Sequence, residues 1–277
     1  MASISDSALQ NLVFKASHNS YQRDETISEQ LTFHPSDASN CGCRGLELDI
    51  WRHDEDPTMN PGLFTISHLV GFLGGDTLKD WLDKVLSWHR SNPNHDLVWI
   101  MLDIKSSDGE SSTFPDEIDG YLTNYFGTEL IASPKVLFPS LSDSNPIGNI
   151  VNAKGWATLG SLANKFVFCL SGTEEWKKVY VNKSPSSRLC LADCGDDKNL
   201  SNTRVVYNVK AGKGKKDTLK ALIQKNIFIR IYDADSEGDW NDAIKMGANM
   251  VATDKVSGHS WAKVSSNSPF NTAQRNV

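Results

Sequence analysis

Residues 45–51 read Gly-Leu-Glu-Leu-Asp-Ile-Trp, and Ser17-His18-Asn19-Ser20 stands upstream of them. Leu46, Leu48 and Ile50 alternate with Glu47 and Asp49, which is the period of a β-strand. Such a strand turns both carboxylates to one face. Paired acids are too costly for a dry core, so that face must meet water, a barrel mouth or a cation. Asp103, in Leu102-Asp103-Ile104-Lys105, is a third acid within an apolar run. With the amide oxygen of Asn19, these acids form an all-oxygen donor set that suits Ca²⁺ or Mg²⁺ and not zinc. His18 and His68 add a candidate base and a candidate acid, so the parts of metal-assisted phosphoryl transfer are present. For any one acid the alternative is a rim ion pair with Arg52 or Lys105. For either histidine it is a satisfied structural residue. His34, His53, His89, His95 and His259 lack such company and read as surface or packing residues.

The elements that carry these groups are short. Strand candidates are Leu12–Ala16, Gly45–Trp51, Phe64–Ser67, Leu97–Ile104, Phe166–Leu170, Leu189–Ala192, Arg204–Val209, Ile227–Tyr232 and Met250–Ala252. Most are rich in Val, Ile and Phe, as strands buried on both faces are. Helices are expected at Thr77–Arg90, at Asp116–Phe126, at Asp217–Lys225 with Asp217 as its N-cap, and at Asp239–Met246 before Gly247. This alternation predicts an α/β fold with a closed parallel barrel of the TIM type. Active sites in such barrels lie at the C-terminal strand ends. His18, Asn19, Glu47, Asp49, His68, Asp103, Arg230 and Tyr232 all fall at or near such ends. Residues 106–112 and 140–149 read as excursions, and the whole of 1–277 reads as one domain.

Of the 277 residues, 39% are hydrophobic and 22% charged, enough for an ordinary core. A net charge of −6 disfavours nucleic acid as a partner. It also gives no overall attraction to an anionic membrane, so any lipid contact must be local. No stretch approaches the roughly 20 apolar residues of a membrane-spanning helix. The first residues show no signal-peptide pattern, so a cytoplasmic chain, or a secreted one without its leader, is expected. The five cysteines are an odd number, and their spacing matches zinc sites poorly. Cys41 and Cys43 are too close to pair easily. Cys190 and Cys194 could bridge across a loop in an oxidising compartment.

The segment Ala16-Ser17-His18-Asn19-Ser20-Tyr21, followed by Gly45-Leu46-Glu47-Leu48-Asp49-Ile50-Trp51, resembles the catalytic X region of phosphatidylinositol-specific phospholipase C. The similarity is greatest to the calcium-dependent members of that family of barrel phosphodiesterases. It implies His18 and His68 as catalytic residues, and Asn19, Glu47, Asp49 and Asp103 as calcium ligands. Ile229-Arg230-Ile231-Tyr232 is similar to the family's Arg-x-Tyr, which contacts the inositol headgroup. Arg230 and Tyr232, with Lys105, are therefore the expected substrate-binding residues. Gly247–Asp254 resembles the last strand of the wider superfamily. The chain departs from the pattern in two ways. The Phe166–Gly172 strand carries no lysine pair, only Lys165 before it and Cys169 and Ser171 within it, which speaks against recognition of 4- and 5-phosphates. The fourth ligand is Asp103 where the family has Glu.

The resemblance implies attack of the inositol 2-hydroxyl on phosphorus, with a metal-site carboxylate or His18 taking its proton and His68 protonating the diacylglycerol leaving group. It implies a phospholipid substrate, peripheral membrane contact through Leu69, Phe72 and Leu73, and a monomer. Two rival readings share the scaffold. Leu102-Asp103-Ile104-Lys105 resembles the Asp-Leu-Lys of sphingomyelinase D, and glycerophosphodiester phosphodiesterases are related barrels that carry Arg where this chain has Asn19. A barrel repurposed for binding is the third, and the retention of two histidines and three acids argues against it.

Overall fold

A computed structural model of the chain describes residues 3–35, 41–53, 61–68, 76–105, 112–142, 144–182, 185–195 and 202–275. Leu69, Phe72 and Leu73 lie outside these residues, as does most of the 106–112 excursion. The apolar runs form strands because their side chains are covered on both faces. All six residues of β1 (Leu12–Ser17) are buried, as are six of the eight in β2 (Gly45–Arg52). β4 (Val98–Ile104), β5 (Phe166–Gly172), β6 (Cys190–Cys194), β7 (Val206–Lys210), β8 (Phe228–Tyr232) and β9 (Met250–Thr253) follow in order. Together with β1 and β2 they pair in parallel, and β9 returns to β1, so eight strands close a barrel.

Two short strands are appended to the outside of this ring. β3 (Phe64–Ile66) runs antiparallel to β2, with Ile50 opposite Ile66. The Phe64–Ser67 run is therefore no barrel strand, and His68 follows a hairpin arm. β10 (Phe270–Thr272), which no sequence pattern announced, runs antiparallel to β1.

The helices pack outside. α1 (Ile27–Leu31) opens with a Thr26/Glu29 capping box, and α2 (Leu78–Ser91) with a Thr77/Asp80 box. α2 buries Leu78, Leu82, Val85, Leu86 and Trp88 along one stripe. α3 (Phe114–Tyr125), α4 (Pro134–Leu137), α5 (Ile147–Lys154) and α6 (Glu174–Val181) follow. α7 (Lys216–Gln224) starts one residue before the expected Asp217, and its N-cap is Lys215. Asp217 therefore stands in the first turn instead of at the cap. α8 (Glu237–Lys245) is capped by Ser236 and ends before Gly247, whose φ is 80°. The excursion at 140–149 contains the start of α5.

The barrel is solid at its base. Trp99 of β4 and Phe228 of β8 stack at 4.4 Å, although these strands are not neighbours, so the contact crosses the interior. Phe14 of β1 adds a third ring, 6.0 Å from Phe228. The open end is therefore the C-terminal one. All five cysteines are buried. Cys190 and Cys194 lie at opposite ends of the extended β6, roughly 13 Å apart at the rise of a strand. That is beyond disulfide reach, so the expected bridge is excluded.

Candidate active site

Two turns are clamped to β2, and each delivers a histidine. Ser20 Oγ donates to Ser17 O at 3.2 Å and accepts the Glu47 N–H at 2.9 Å, which fixes the turn holding His18 and Asn19. Asn19 adopts a left-handed conformation (φ 46°), one that Asn tolerates better than most residues. On the other side of β2, the Trp51 indole N–H donates to Ser67 O at 2.7 Å and ties down the approach to His68.

Strand register then levels the acids. Asp49 is directly opposite Asp103, and Asp103 is opposite Ser171. One oxygen each from Glu47, Asp49 and Asp103 falls within a 4.8 Å group. Glu47 and Asp49 are buried. Asp49 Oδ2 accepts from His68 Nδ1 at 3.0 Å and lies 3.2 Å from Lys105 Nζ. Asp103 Oδ2 accepts from Lys105 Nζ at 2.6 Å. Glu47 Oε2 accepts from Arg230 Nη2 at 2.6 Å and lies 3.8 Å from His18 Nε2.

These partners leave a remainder. Asp49 Oδ1 and Asp103 Oδ1 are buried and have no hydrogen-bond partner among the described residues. A buried carboxylate oxygen without a partner is expensive, and a hard cation removes that cost. Gly172, at φ 79°, leaves room beside one of them: a Cβ there would stand 2.2 Å from Asp103 Oδ1. The donor set, the unpartnered oxygens and this cleared space fit a calcium-type ion. Burial holds the Asp103 carboxyl above its usual range, with the Lys105 ammonium opposing and the Glu47 charge adding. Burial alone would lower the Lys105 pKa, but the Asp103 and Asp49 carboxylates raise it.

His18 is held from behind. Its Nδ1 lies 3.0 Å from Asp254 Oδ1 and 3.1 Å from Asp233 Oδ1, and Arg23 Nη1 braces Asp254 at 3.1 Å. Burial disfavours the imidazolium, but the Asp254 hydrogen bond and the Glu47 charge outweigh it, so the His18 pKa is raised. Tyr232 stacks on His18, with centroids 5.9 Å apart. The Tyr21 hydroxyl lies 3.4 Å from His68 Nδ1. Burial and the Asp49 charge push its pKa up, so it remains a donor.

All nine sequence candidates meet at this mouth. Eight line one cleft of about 410 Å³, and Asp49 lies buried beneath His68 and Lys105. Arg230 is less exposed than expected of a substrate contact, because it spans Glu47 and Asn208. Sequence reasoning missed Asp193, Asn208 and Lys177, which line the far wall. Lys177 Nζ donates to Asp193 Oδ1 at 2.6 Å, and Asn208 Nδ2 to Asp193 Oδ2 at 2.7 Å. Asp193 and Asn208 are polar breaks in the apolar runs of β6 and β7, the same signal that identified Glu47 and Asp49. Lys177 belongs to α6 and carried no such signal. Asp254 was within the noted Gly247–Asp254 segment but was not singled out.

Comparisons with known proteins bear on the fold and the family. The chain matches the family model described as phosphoinositide phospholipase C, Ca²⁺-dependent, over residues 73–268. That match covers well over half of the chain and begins after His18, Asn19, Glu47, Asp49 and His68. No curated protein sequence matches the chain. A calcium-dependent phosphoinositol-specific phospholipase C from Pseudomonas sp. superposes with a TM-score of 0.77 at 18% identity, covering 97% of this chain and 96% of that one. A Ca²⁺-dependent phosphatidylinositol-specific phospholipase C from Streptomyces antibioticus gives 0.66 at 16% identity, covering 90% and 95%. A glycerophosphodiester phosphodiesterase from Parabacteroides distasonis is more distant, at 0.50 and 13% identity, covering 88% and 93%. At these identities the structures speak for the fold, and the family model speaks for membership. With a parallel barrel, an acidic mouth and that match together, the chain belongs to the calcium-dependent phosphoinositide phospholipases C, a family of phosphodiesterases.

Proposed function

We propose that the enzyme cleaves phosphatidylinositol to diacylglycerol and a cyclic inositol phosphate. The observation that carries this reading is the pair of buried oxygens without a partner among the described residues, Asp49 Oδ1 and Asp103 Oδ1, at a cleft that both His18 and His68 line. Asn19, Glu47, Asp49 and Asp103 are the calcium ligands. When bound, calcium would supply positive charge against the charge developing on phosphoryl oxygen and make the inositol 2-hydroxyl more acidic.

The remaining steps belong to side chains. The 2-hydroxyl oxygen forms a bond to phosphorus as the bond from phosphorus to the glycerol oxygen breaks. Glu47 accepts the hydroxyl proton. His18, whose Nδ1 is held by Asp254 and Asp233, directs Nε2–H to a phosphoryl oxygen. His68 has Nδ1 on Asp49, which leaves Nε2 to give its proton to the departing glycerol oxygen. Arg230 orients Glu47, Tyr232 forms the wall beside His18, and Lys105 neutralises Asp49 and Asp103 and faces the phosphate.

The headgroup this site favours is the unphosphorylated inositol. Lys105, Lys177 and Arg230 each pair with a carboxylate at the mouth, so none of their charges is left over for a second phosphate. The far wall, built of the Lys177–Asp193 pair and Asn208, is polar without a spare charge. Calcium is favoured over magnesium because the all-oxygen donor set sits in a chain of a Ca²⁺-dependent family. Every group used comes from one chain, so a monomer suffices, and the contact with lipid is peripheral. No helix of the described residues is long and apolar enough to cross a membrane. Phosphorus NMR of a phosphatidylinositol digest tests the reading. A cyclic phosphodiester should appear first. A linear phosphomonoester with no cyclic precursor would contradict 2-hydroxyl attack.

A further inference from the structure

We propose that the loop between β7 and α7 docks the barrel mouth onto an anionic lipid surface. The inference rests on the phosphoinositide reading, since a lipid substrate is what brings such a surface to the mouth. The loop reads Lys210-Ala211-Gly212-Lys213-Gly214-Lys215-Lys216 in a chain whose net charge is −6. It leaves the C-terminal end of β7, so it belongs to the same rim as the acids and histidines. Lys210 Nζ bonds Asp233 Oδ2 at 2.6 Å, and Asp233 Oδ1 lies 3.1 Å from His18 Nδ1. The root of the loop is therefore two contacts from a proposed catalytic histidine.

Beyond that root, Lys213, Lys215 and Lys216 are exposed, and none pairs with an acid among the described residues. None of them lines the cleft, which separates them from headgroup recognition and leaves them to the surface around it. Gly212, at φ 71° with open space about it, allows the tight turn in which Lys213 N–H donates to Lys210 O at 3.0 Å.

Folding gives no reason for these charges. Lys215 is the N-cap of α7 and makes no capping hydrogen bond, and Lys216 is its first residue. Both stand at the positive end of the helix dipole, where cations are disfavoured. Residues that break a local rule with no compensating contact mark function more often than architecture. The start of α8, the next element on the rim, carries Glu237 and Asp239. The β8–α8 side is therefore not attractive, and the lysine loop marks the β7–α7 edge of the mouth as one that meets the membrane.

The test is cosedimentation of the full chain with phosphatidylcholine vesicles, with and without phosphatidylserine, none containing an inositol lipid. It compares wild type with the triple variant Lys213→Gln, Lys215→Gln, Lys216→Gln. Wild type should prefer the phosphatidylserine vesicles, and added salt should weaken that preference. At roughly fivefold per lysine, the variant should lose on the order of a hundredfold in partitioning. Its melting temperature should not fall, because glutamine relieves repulsion at the helix start. Its turnover of a water-soluble inositol phosphodiester should match wild type. Equal binding of wild type to both vesicles, or of both proteins to phosphatidylserine, would overturn the docking surface. If wild type fails to cleave the soluble ester, the phosphoinositide reading fails instead, and the vesicle comparison still decides the docking.

Discussion

Asp49 has two roles at the mouth, since one oxygen holds His68 and the other has no partner among the described residues. Replacing it with Asn keeps the shape and removes a charge from the ligand set. Asp49→Asn should raise the calcium needed for half-maximal turnover by about tenfold or more, read from a calcium titration. A variant with an unchanged calcium requirement would remove Asp49 from the metal site. His68 separates acid catalysis from metal binding. Its side chain is about half exposed, 53%, so trimming it costs little stability. His68→Ala should lower turnover by roughly 10²- to 10⁴-fold while calcium binding, followed by calorimetry, stays near wild type. At this scale the sequence was informative where a polar residue interrupts an apolar alternation, as at Glu47, Asp49 and Asp103. The same rule applied to Asp193 and Asn208 would have found the far wall. Lys177 could not be found that way, because a helical lysine is ordinary until the fold turns it inward against Asp193.

The elements that matter most are β1 and β2, because the turn after β1 and the strand β2 bring the histidine and the acids together. Their direct pairing is a single position, Ala16 opposite Gly45. A Cβ at residue 45 would stand 2.6 Å from Ala16 Cβ and 3.2 Å from Met250 Sδ. Gly45→Ala should therefore cost roughly 1–3 kcal/mol in urea unfolding, by forcing the closure of the barrel apart. It should also weaken calcium binding, since Glu47 and Asp49 move with β2. A variant as stable as wild type would mean the seam has slack. The nine apolar runs all became strands, but their roles were not all legible. A three-residue arm such as β3 and a barrel strand look alike over so few positions, and only pairing tells them apart. The start of α7 was misplaced by a residue because Asp217 has the chemistry of a cap, and Lys215 does not.

The whole molecule joins what no segment contains. His18, Glu47, Asp103, Asn208 and Arg230 come from distant parts of the chain, and barrel closure places them around one cleft. Its net charge is −6, yet the rim carries a lysine loop, so sign at the mouth and sign overall need not agree. Residue, element and barrel together describe a calcium-dependent phosphodiesterase, proposed to be specific for inositol lipids. The most direct test is release of the water-soluble headgroup, inositol phosphate, choline or phosphocholine, from phosphatidylinositol, phosphatidylcholine and sphingomyelin, each with calcium and with a chelator. Phosphatidylinositol alone should be cleaved, with turnover abolished by the chelator and restored by added calcium. Turnover that survives the chelator, or cleavage confined to the choline lipids, would contradict this reading.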